Sequence, residues 1–556
     1  MRNANSGRQQ PTPAVPAIPA RALTRRAFLR TSLAVPVMAA SRSAFALAGK
    51  MDGRHPDLRG LPGYVQHVMR QLRVPGAAVA IVHEDRVLFC HGFGVKSLSS
   101  GEPVTENTLF SLASQTKPFT GTCFAMLESE GRLQGDRPFL DYLPAFRMSS
   151  PDVTRRIKVS EVLSHISGLP AHAGDQLYFP ATDYSLEQVV QRIRELPLVR
   201  PFLSTFAYEN VLYAAAALMM QRVTGMTYEQ FVSRRIFGPL GMRSTVPNAS
   251  DLPAASDVAT GHTEVDGILK PVPPIVWRNN PGAGGIYSSA SDLTRWMRMH
   301  LRGGVYRSSP GSLQRLYSAR AQQEMWTSRI SIPLGEDASE ADRIQYEDLA
   351  YGAGWFLSKY RGERLMWHSG EFPGFVSKIA LMPSHRLGVV VLTNQEVDTA
   401  FRAITNHVLD LFMGAHDIDW LASLMRERDA AKAAKEKRLA AVMATRTLRA
   451  DAPMDCGAFE GTYRDAWYGD VRIWRSGGKC LMHFVHTQEL IGEVHPWARD
   501  TFVVRWRDRL LKGDALMSFE KNPAGEVVAA RMKRLSPFEA PAFDFRDLHL
   551  ARVRKS

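Results

Sequence analysis

"SLASQTKPFTG", Ser111 to Gly121, is the stretch on which the reading turns. Ser114 is followed three residues later by Lys117 and then by Pro118, at the start of a helix expected over residues 114–130 with Gly131 as its stop. A cation in the first turn of a helix opposes the backbone dipole. The conflict disappears if the amine is held neutral, because the positive helix end and desolvation both favour the uncharged form. A neutral amine can take the serine proton. Three residues apart on a helix means one face, and the free N–H groups of the first turn can receive a developing oxyanion. Pro118 lacks an N–H and crowds the carbonyl of Ser114, so the first turn is expected to be tightened. The same spacing recurs at Ser476–Lys479 and Ser518–Lys521. The former encloses Gly477 and Gly478, a hairpin turn. The latter falls in a strand, where residues three apart face opposite ways.

Two further short motifs accompany this pair. Tyr208-Glu209-Asn210 precedes the apolar run "NVLYAAAALMMQRVTG", and Tyr-x-Asn occurs nowhere else in the chain. A phenol can relay a proton between nucleophile and leaving group, and an amide can orient substrate or lysine. His368-Ser369-Gly370 ends a strand that begins "RLMW". A backbone N–H at that edge would complete an oxyanion hole, and glycine permits close approach. His-x-Gly also occurs at His172-Ala173-Gly174, but in a loop, and that copy is discounted. His165 in "LSHISGLP" reads as structural. A Gly-x-Ser-x-Gly elbow, a complete P-loop and a His-Glu-x-x-His zinc motif are all absent.

Around these motifs the chain reads as follows. "GAAVAIVHEDRVLFCHGFGV" (76–95) is a hairpin turning at His83 to Arg86. Residues 151–300 are mostly helical and loop. "RLMWHSG", "FVSKIALMP" and "LGVVVLTNQ" are three strands, and "DTAFRAITNHVLDLFMG" is a helix. Strands at both ends of one unit imply a single antiparallel sheet with a helical lobe between, an α+β fold with its cleft between the lobes. A charged, Ala-rich helical linker is expected over 416–455. Short alternating strands over 456–556 then make a small antiparallel β-barrel.

The 556 residues are 45% hydrophobic and 22% charged, ordinary for a soluble globular protein of two domains plus appendages. The formal charge of +14 raises nucleic acid as a partner. Seven arginines and no acid fall in residues 1–46, and eight bases against three acids in 426–449. The remainder is nearly balanced, which disfavours nucleic-acid binding. In 1–46, "LTRRAFLR" carries Arg25 and Arg26 ahead of the short apolar run "TSLAVPVMAA" and a small-x-small cleavage site. This order reads as a twin-arginine signal for export to a bacterial periplasm, with no stable membrane insertion after cleavage. Four cysteines form no Cys-x-x-Cys metal pair. Cys456 and Cys480 could be a disulfide or buried thiols.

From about Asp52 to Gly414 the chain resembles the serine β-lactamase and penicillin-binding-protein superfamily, nearest the class C branch with its esterases and D-aminopeptidases. The resemblance rests on "SLASQTKPFTG", "VSEVLSHISGLP", "FAYENVLYAAAALMMQRVTGMTYEQFV", "PGAGGIYSSASDLTRWM" and "WHSGEFPGF", in that order. The segment from Gly457 to Val553 resembles a lipocalin-like barrel found behind such domains. The expected organisation is a signal over 1–46, a hydrolase domain over 51–415, the linker and the barrel. The resemblance implies Ser114 as nucleophile, Lys117 as base, Tyr208 as proton relay and Asn210 as a substrate contact. His368, a further catalytic candidate, would stand where the family has the lysine of Lys-Thr-Gly, beside Ser369 and Gly370 as substrate-binding residues. The N–H groups of Ser114 and Glu371 would form the oxyanion hole. Histidine in that place brings only a partial charge near neutral pH, which ranks efficient β-lactam hydrolysis below amide, peptide or short-ester cleavage. Tyr-x-Asn replaces Ser-Asp-Asn, and Glu209 adds an acid whose role the motif does not supply. The resemblance implies an acyl-enzyme and no metal or organic cofactor. The substrate would be a small molecule or peptide, with the barrel capping the cleft or driving homo-oligomerisation. The competing reading is a slowly acylated binding protein that senses wall fragments or β-lactams.

Overall fold

In "GAAVAIVH" every residue but the last is buried. A strand apolar on both faces belongs in the middle of a sheet, and there the computed structural model places it. The structure describes residues 55–254, 257–309, 311–336, 338–449, 454–539 and 541–553, and the expected export signal lies outside them. The sheet strands, in chain order, are β1 (Gly76–His83), β2 (Arg86–Gly94), β3 (Ile330–Ser331), β4 (Glu347–Tyr351), β5 (Phe356–Tyr360), β6 (Glu363–Phe372), β7 (Phe375–Met382) and β8 (Leu387–Thr393). Their spatial order is β2-β1-β8-β7-β6-β5-β4-β3. All neighbouring pairs are antiparallel, with Ala77 opposite Thr393 across β1 and β8. Glu84 and Asp85 close the first hairpin, both at positive φ (48° and 66°), the backbone a two-residue turn between twisted strands requires. β3 to β5 add three strands to those legible in the sequence.

Alternation along β1 divides the core. Ala77, Val79 and Ile81 pack with helix α1 (Leu61–Leu72) and the later helix Asp398–Met413. Ala78, Ala80 and Val82 face the helical lobe. That lobe contains α2 (Thr116–Ser129), α3 (Val211–Thr224) and α4 (Ala290–Leu301). α5 (Asp398–Met413) leads to α6 (Trp420–Met443), which buries Trp420, Leu421 and Leu424 at its start and is otherwise solvated.

After α6, strands β9 (Gly461–Asp465), β10 (Gly469–Ser476), β11 (Lys479–Phe484), β12 (Ile491–Ala498), β13 (Thr501–Trp506), β14 (Ala515–Lys521), β15 (Val527–Arg534) and β16 (His549–Arg552) close into a barrel, β16 pairing back onto β9. Ser476 and Lys479 do flank the β10–β11 turn. A disulfide joins Cys456 to Cys480, and Cys90 and Cys123 are free thiols. The barrel rests on the helical lobe. Tyr184 stacks on His486 at 4.3 Å, and the Arg192 guanidinium donates to the Trp467 carbonyl at 2.8 Å. The Gln176 amide donates to the Ala542 carbonyl at 2.6 Å, and Lys512 Nζ lies 2.7 Å from Glu396 Oε2. Among the described residues no helix is long and apolar enough to cross a membrane.

Candidate active site

Pro118 has the local effect expected of it. Ala113–Gln115 form a 3₁₀ turn, and the α-helix begins only at Thr116. Ala113 sits at φ +47°, a left-handed conformation that costs a non-glycine residue energy and must be held by its surroundings. The hold comes from β6 and β7. Ser377 Oγ donates to the Leu112 carbonyl at 3.1 Å. Gly370 comes so close that a Cβ there would lie 1.9 Å from that same oxygen. Ser114 is therefore presented, partly exposed, on a turn clamped against the sheet.

Lys117 has no exposed surface. Its Nζ lies 3.0 Å from Ser114 Oγ, 2.7 Å from Asn210 Oδ1 and 3.1 Å from the Ala283 carbonyl. Burial pulls its pKa down from 10.5 to about 7, opposed by the Asp175 carboxylate. The amine is thus poised between its two protonation states at neutral pH. The Tyr208 hydroxyl is near enough to the Ser114 side chain to feel it electrostatically, and its ring centroid lies 4.8 Å from Lys117 Nζ. Desolvation pushes the phenol above its ordinary range, so it rests protonated. Ser114, Lys117, Tyr208 and Asn210 therefore meet in one place.

The segment carrying Tyr208 is zipped to the 165–172 loop by backbone bonds: Ala207 N–H to the His165 carbonyl at 2.9 Å, and His172 N–H to the Tyr208 carbonyl at 2.8 Å. His165 is structural: its Nδ1 accepts the Glu209 N–H at 3.0 Å, and its ring packs 4.3 Å from Tyr208. Glu209 turns away from Ser114. It is fully buried, receives the Ser167 hydroxyl at 2.8 Å, and is pushed up to about 8 by desolvation.

The third motif differs from expectation in two respects. His368 is 1% exposed. Its Nδ1–H donates to the Ser369 carbonyl at 2.6 Å, and its Nε2 accepts the Tyr351 hydroxyl at 3.0 Å. Burial, reinforced by Lys117, drives its pKa to about 3. The partial charge expected near neutral pH is corrected to none, because desolvation outweighs the one favourable backbone contact. Strand alternation then sends Ser369 and Glu371 to the opposite face from His368 and Gly370. Ser369 lies opposite Lys378, whose Nζ sits 4.8 Å over the Trp367 ring in the α1–α5 core. The exposed Glu371 side chain shares the surroundings of Glu396 and Asp398. What these two can offer Ser114 is backbone. β6 pairs with β5 only as far as Trp367, and beyond it runs on against β7 alone.

Two residues passed over in the sequence belong here. Asp175, 3% exposed, accepts from Asn210 Nδ2 at 3.3 Å, from the Tyr178 hydroxyl and from His172 Nδ1 at 2.9 Å. It therefore sets which way the Asn210 amide faces Lys117. The discounted His-x-Gly copy thus supplies a histidine next to Tyr208, with ring centroids 5.8 Å apart. The signal that could have found the pair is an acid three residues after a histidine in a Gly-punctuated loop. Among the described residues no cluster of His, Cys, Asp or Glu could hold a metal ion.

The fold resembles that of the octameric penicillin-binding protein homologue from Pyrococcus abyssi, with a TM-score of 0.57 and 21% identity, over 89% of this chain and all of that one. It also resembles a class C β-lactamase, with a TM-score of 0.52 and 19% identity, over 65% of this chain and 96% of that one. Both are likenesses of fold. By sequence, the chain is 28% identical to the unguisins hydrolase ungD of Aspergillus violaceofuscus, over 61% of each chain. It is 26% identical to protein flp of Staphylococcus aureus, over 59% of this chain and 61% of that one. The chain thus spans about three-fifths of the length of these curated relatives. Residues 450–552 match a family described as a domain of unknown function, DUF3471. Residues 61–412, more than half of the chain and the part holding every residue of the site above, match the beta-lactamase family, and to that family the chain belongs.

Proposed function

We propose that the chain is an exported serine hydrolase working through an acyl-enzyme on Ser114. The observation that carries this reading is a wholly buried amine, with a pKa of about 7, lying 3.0 Å from a partly exposed serine hydroxyl. Lys117, neutral, takes the Ser114 proton as Oγ attacks the substrate carbonyl. Tyr208, beside Ser114 and protonated at rest, passes the proton to the leaving group. The N–H groups of Ser114 and Glu371 receive the oxyanion, the latter from the stretch of β6 that β5 leaves uncovered. Asn210, oriented by Asp175, keeps Lys117 in place and contacts substrate. His368, neutral and enclosed, moves no proton and packs the strand behind the site.

For substrate we rank an amide or peptide, including D-residue peptides, level with a short ester. A β-lactam ranks below both, because His368 brings no positive charge to meet its carboxylate. Phe372, on the site face of β6, packs against Trp277 at 4.9 Å and Phe179 at 5.0 Å. This aromatic wall suits an apolar acyl group. The barrel, lipocalin-like by resemblance, bounds that end of the cleft and could also mediate self-assembly. The test is a panel of D-amino-acid amides, p-nitrophenyl esters and a chromogenic cephalosporin on wild type and Ser114→Ala. Turnover of amides or esters that vanishes in the variant is expected. Wild-type turnover in the variant would remove the reading, and a permanent adduct on Ser114 would favour the sensing protein instead.

A further inference from the structure

An acyl-enzyme must also be hydrolysed, and the residues that form it are poorly placed to activate water. Lys117 has no exposed surface and is ringed by protein acceptors. Tyr208 is a phenol whose ionisation the surroundings oppose. His368 is buried and has both ring nitrogens engaged. Glu209 is turned into the core.

His172 is placed differently. Its side chain is 29% exposed, whereas that of its partner Asp175 is 4% exposed. A carboxylate can only accept, so the 2.9 Å contact places the proton on Nδ1 and leaves the lone pair on Nε2, on the far side of the ring from the buried acid. His172 itself is at φ +64°, and Gly174 follows at +72°. A loop held in these conformations, with its N–H fixed to the Tyr208 carbonyl, gives the imidazole a defined position beside the tyrosine next to Ser114 and Lys117. A base oriented by a buried acid is the arrangement that general-base catalysis needs.

We propose that His172, oriented by Asp175, is the general base of deacylation. Its Nε2 takes a proton from water as the water oxygen bonds to the acyl carbon. The carbonyl electron pair moves to the oxyanion and returns as the C–Oγ bond of Ser114 breaks. The proton reaches Oγ through Tyr208 and Lys117, which restores the free enzyme and releases the acid. Acylation does not use His172. The inference rests on the acyl-enzyme reading above.

The experiment is pre-steady-state hydrolysis of p-nitrophenyl butyrate by wild type, His172→Asn and His172→Gln, with intact-mass detection of the adduct. Asparagine is chosen because it tolerates positive φ. The expected result is a nitrophenolate burst at the wild-type rate, followed by steady turnover slower by about 10²-fold. The butyryl adduct on Ser114 should accumulate, and hydroxylamine, which attacks without a base, should restore turnover. A normal burst also shows that the variant is folded. Wild-type turnover in both variants, or loss of the burst in both, overturns the proposal. Failure of the wild-type enzyme to form any Ser114 adduct overturns the acyl-enzyme reading instead.

Discussion

Lys117 shows what a buried amine costs a fold. Its pKa is about 7 in the folded protein and about 10.5 when solvated. Between those values the unfolded chain binds a proton that the folded chain does not, so stability rises with pH from about 7 to about 10.5. Below pH 7 the folded state bears the whole penalty, on the order of a few kcal/mol. Lys117→Met should therefore abolish turnover, raise the melting temperature at pH 6 and flatten the stability profile between pH 7 and 10. Thermal melts across that range check it; an unchanged slope would show that Lys117 is not the buried base. Wild-type kcat/KM should rise through an apparent pKa near 7 as the amine loses its proton. At this scale the site was legible where its chemistry is local in sequence. Ser114 and Lys117 are one helical turn apart, and Tyr208 and Asn210 flank a single residue. Asp175 and His172 were not, because they reach Tyr208 and Asn210 only through the folding of a loop. The charge state of His368 was also beyond reach, since burial is a property of its neighbours.

Among elements, β6 matters most for the site. Its Gly370 presses on the turn that presents Ser114, and a methyl group there would meet the Leu112 carbonyl at 1.9 Å. Gly370→Ala should separate strand and turn, destabilising the protein by about 1–3 kcal/mol. It should also reduce kcat/KM by about 10²-fold or more, since a shift of the order of 1 Å at the proposed nucleophile has that effect. Urea titration and ester kinetics measure the two. In the barrel, the Cys456–Cys480 bond closes a 24-residue separation onto β11. Cys480→Ala should cost about 3 kcal/mol by the loop-entropy argument, seen as a lower urea midpoint that reductant does not lower further. β1, β2, β6, β7 and β8 were readable as apolar or alternating runs. β4 and β5 were not, because Gly352 and Gly354 interrupt the pattern between them. Alternation counted inward from His368 would have turned Ser369 and Glu371 to the far face beforehand.

In the whole molecule, the barrel and the cleft share an aromatic seam. Phe543 packs 5.8 Å from Phe179, which packs 5.0 Å from Phe372 on the site face of β6. Phe543→Ala should open that end of the cleft and raise kcat/KM for long-chain relative to short-chain p-nitrophenyl esters. An unaltered chain-length preference would show that the barrel does not bound the site. No pattern in the sequence announced this seam, because Phe179 lies 193 residues from Phe372 and 364 from Phe543. Separation along the chain also governs how the sheet is assembled. The innermost strand of the first hairpin lies against Thr393, which leaves the ribosome 316 residues after Ala77. At roughly 5–20 residues per second, that is roughly 15–60 s of translation during which a strand apolar on both faces up to its final histidine lacks its neighbour. Nascent chains halted before Leu387 should accordingly be the form that chaperones hold longest, and release should follow synthesis of β8, well before the barrel is complete.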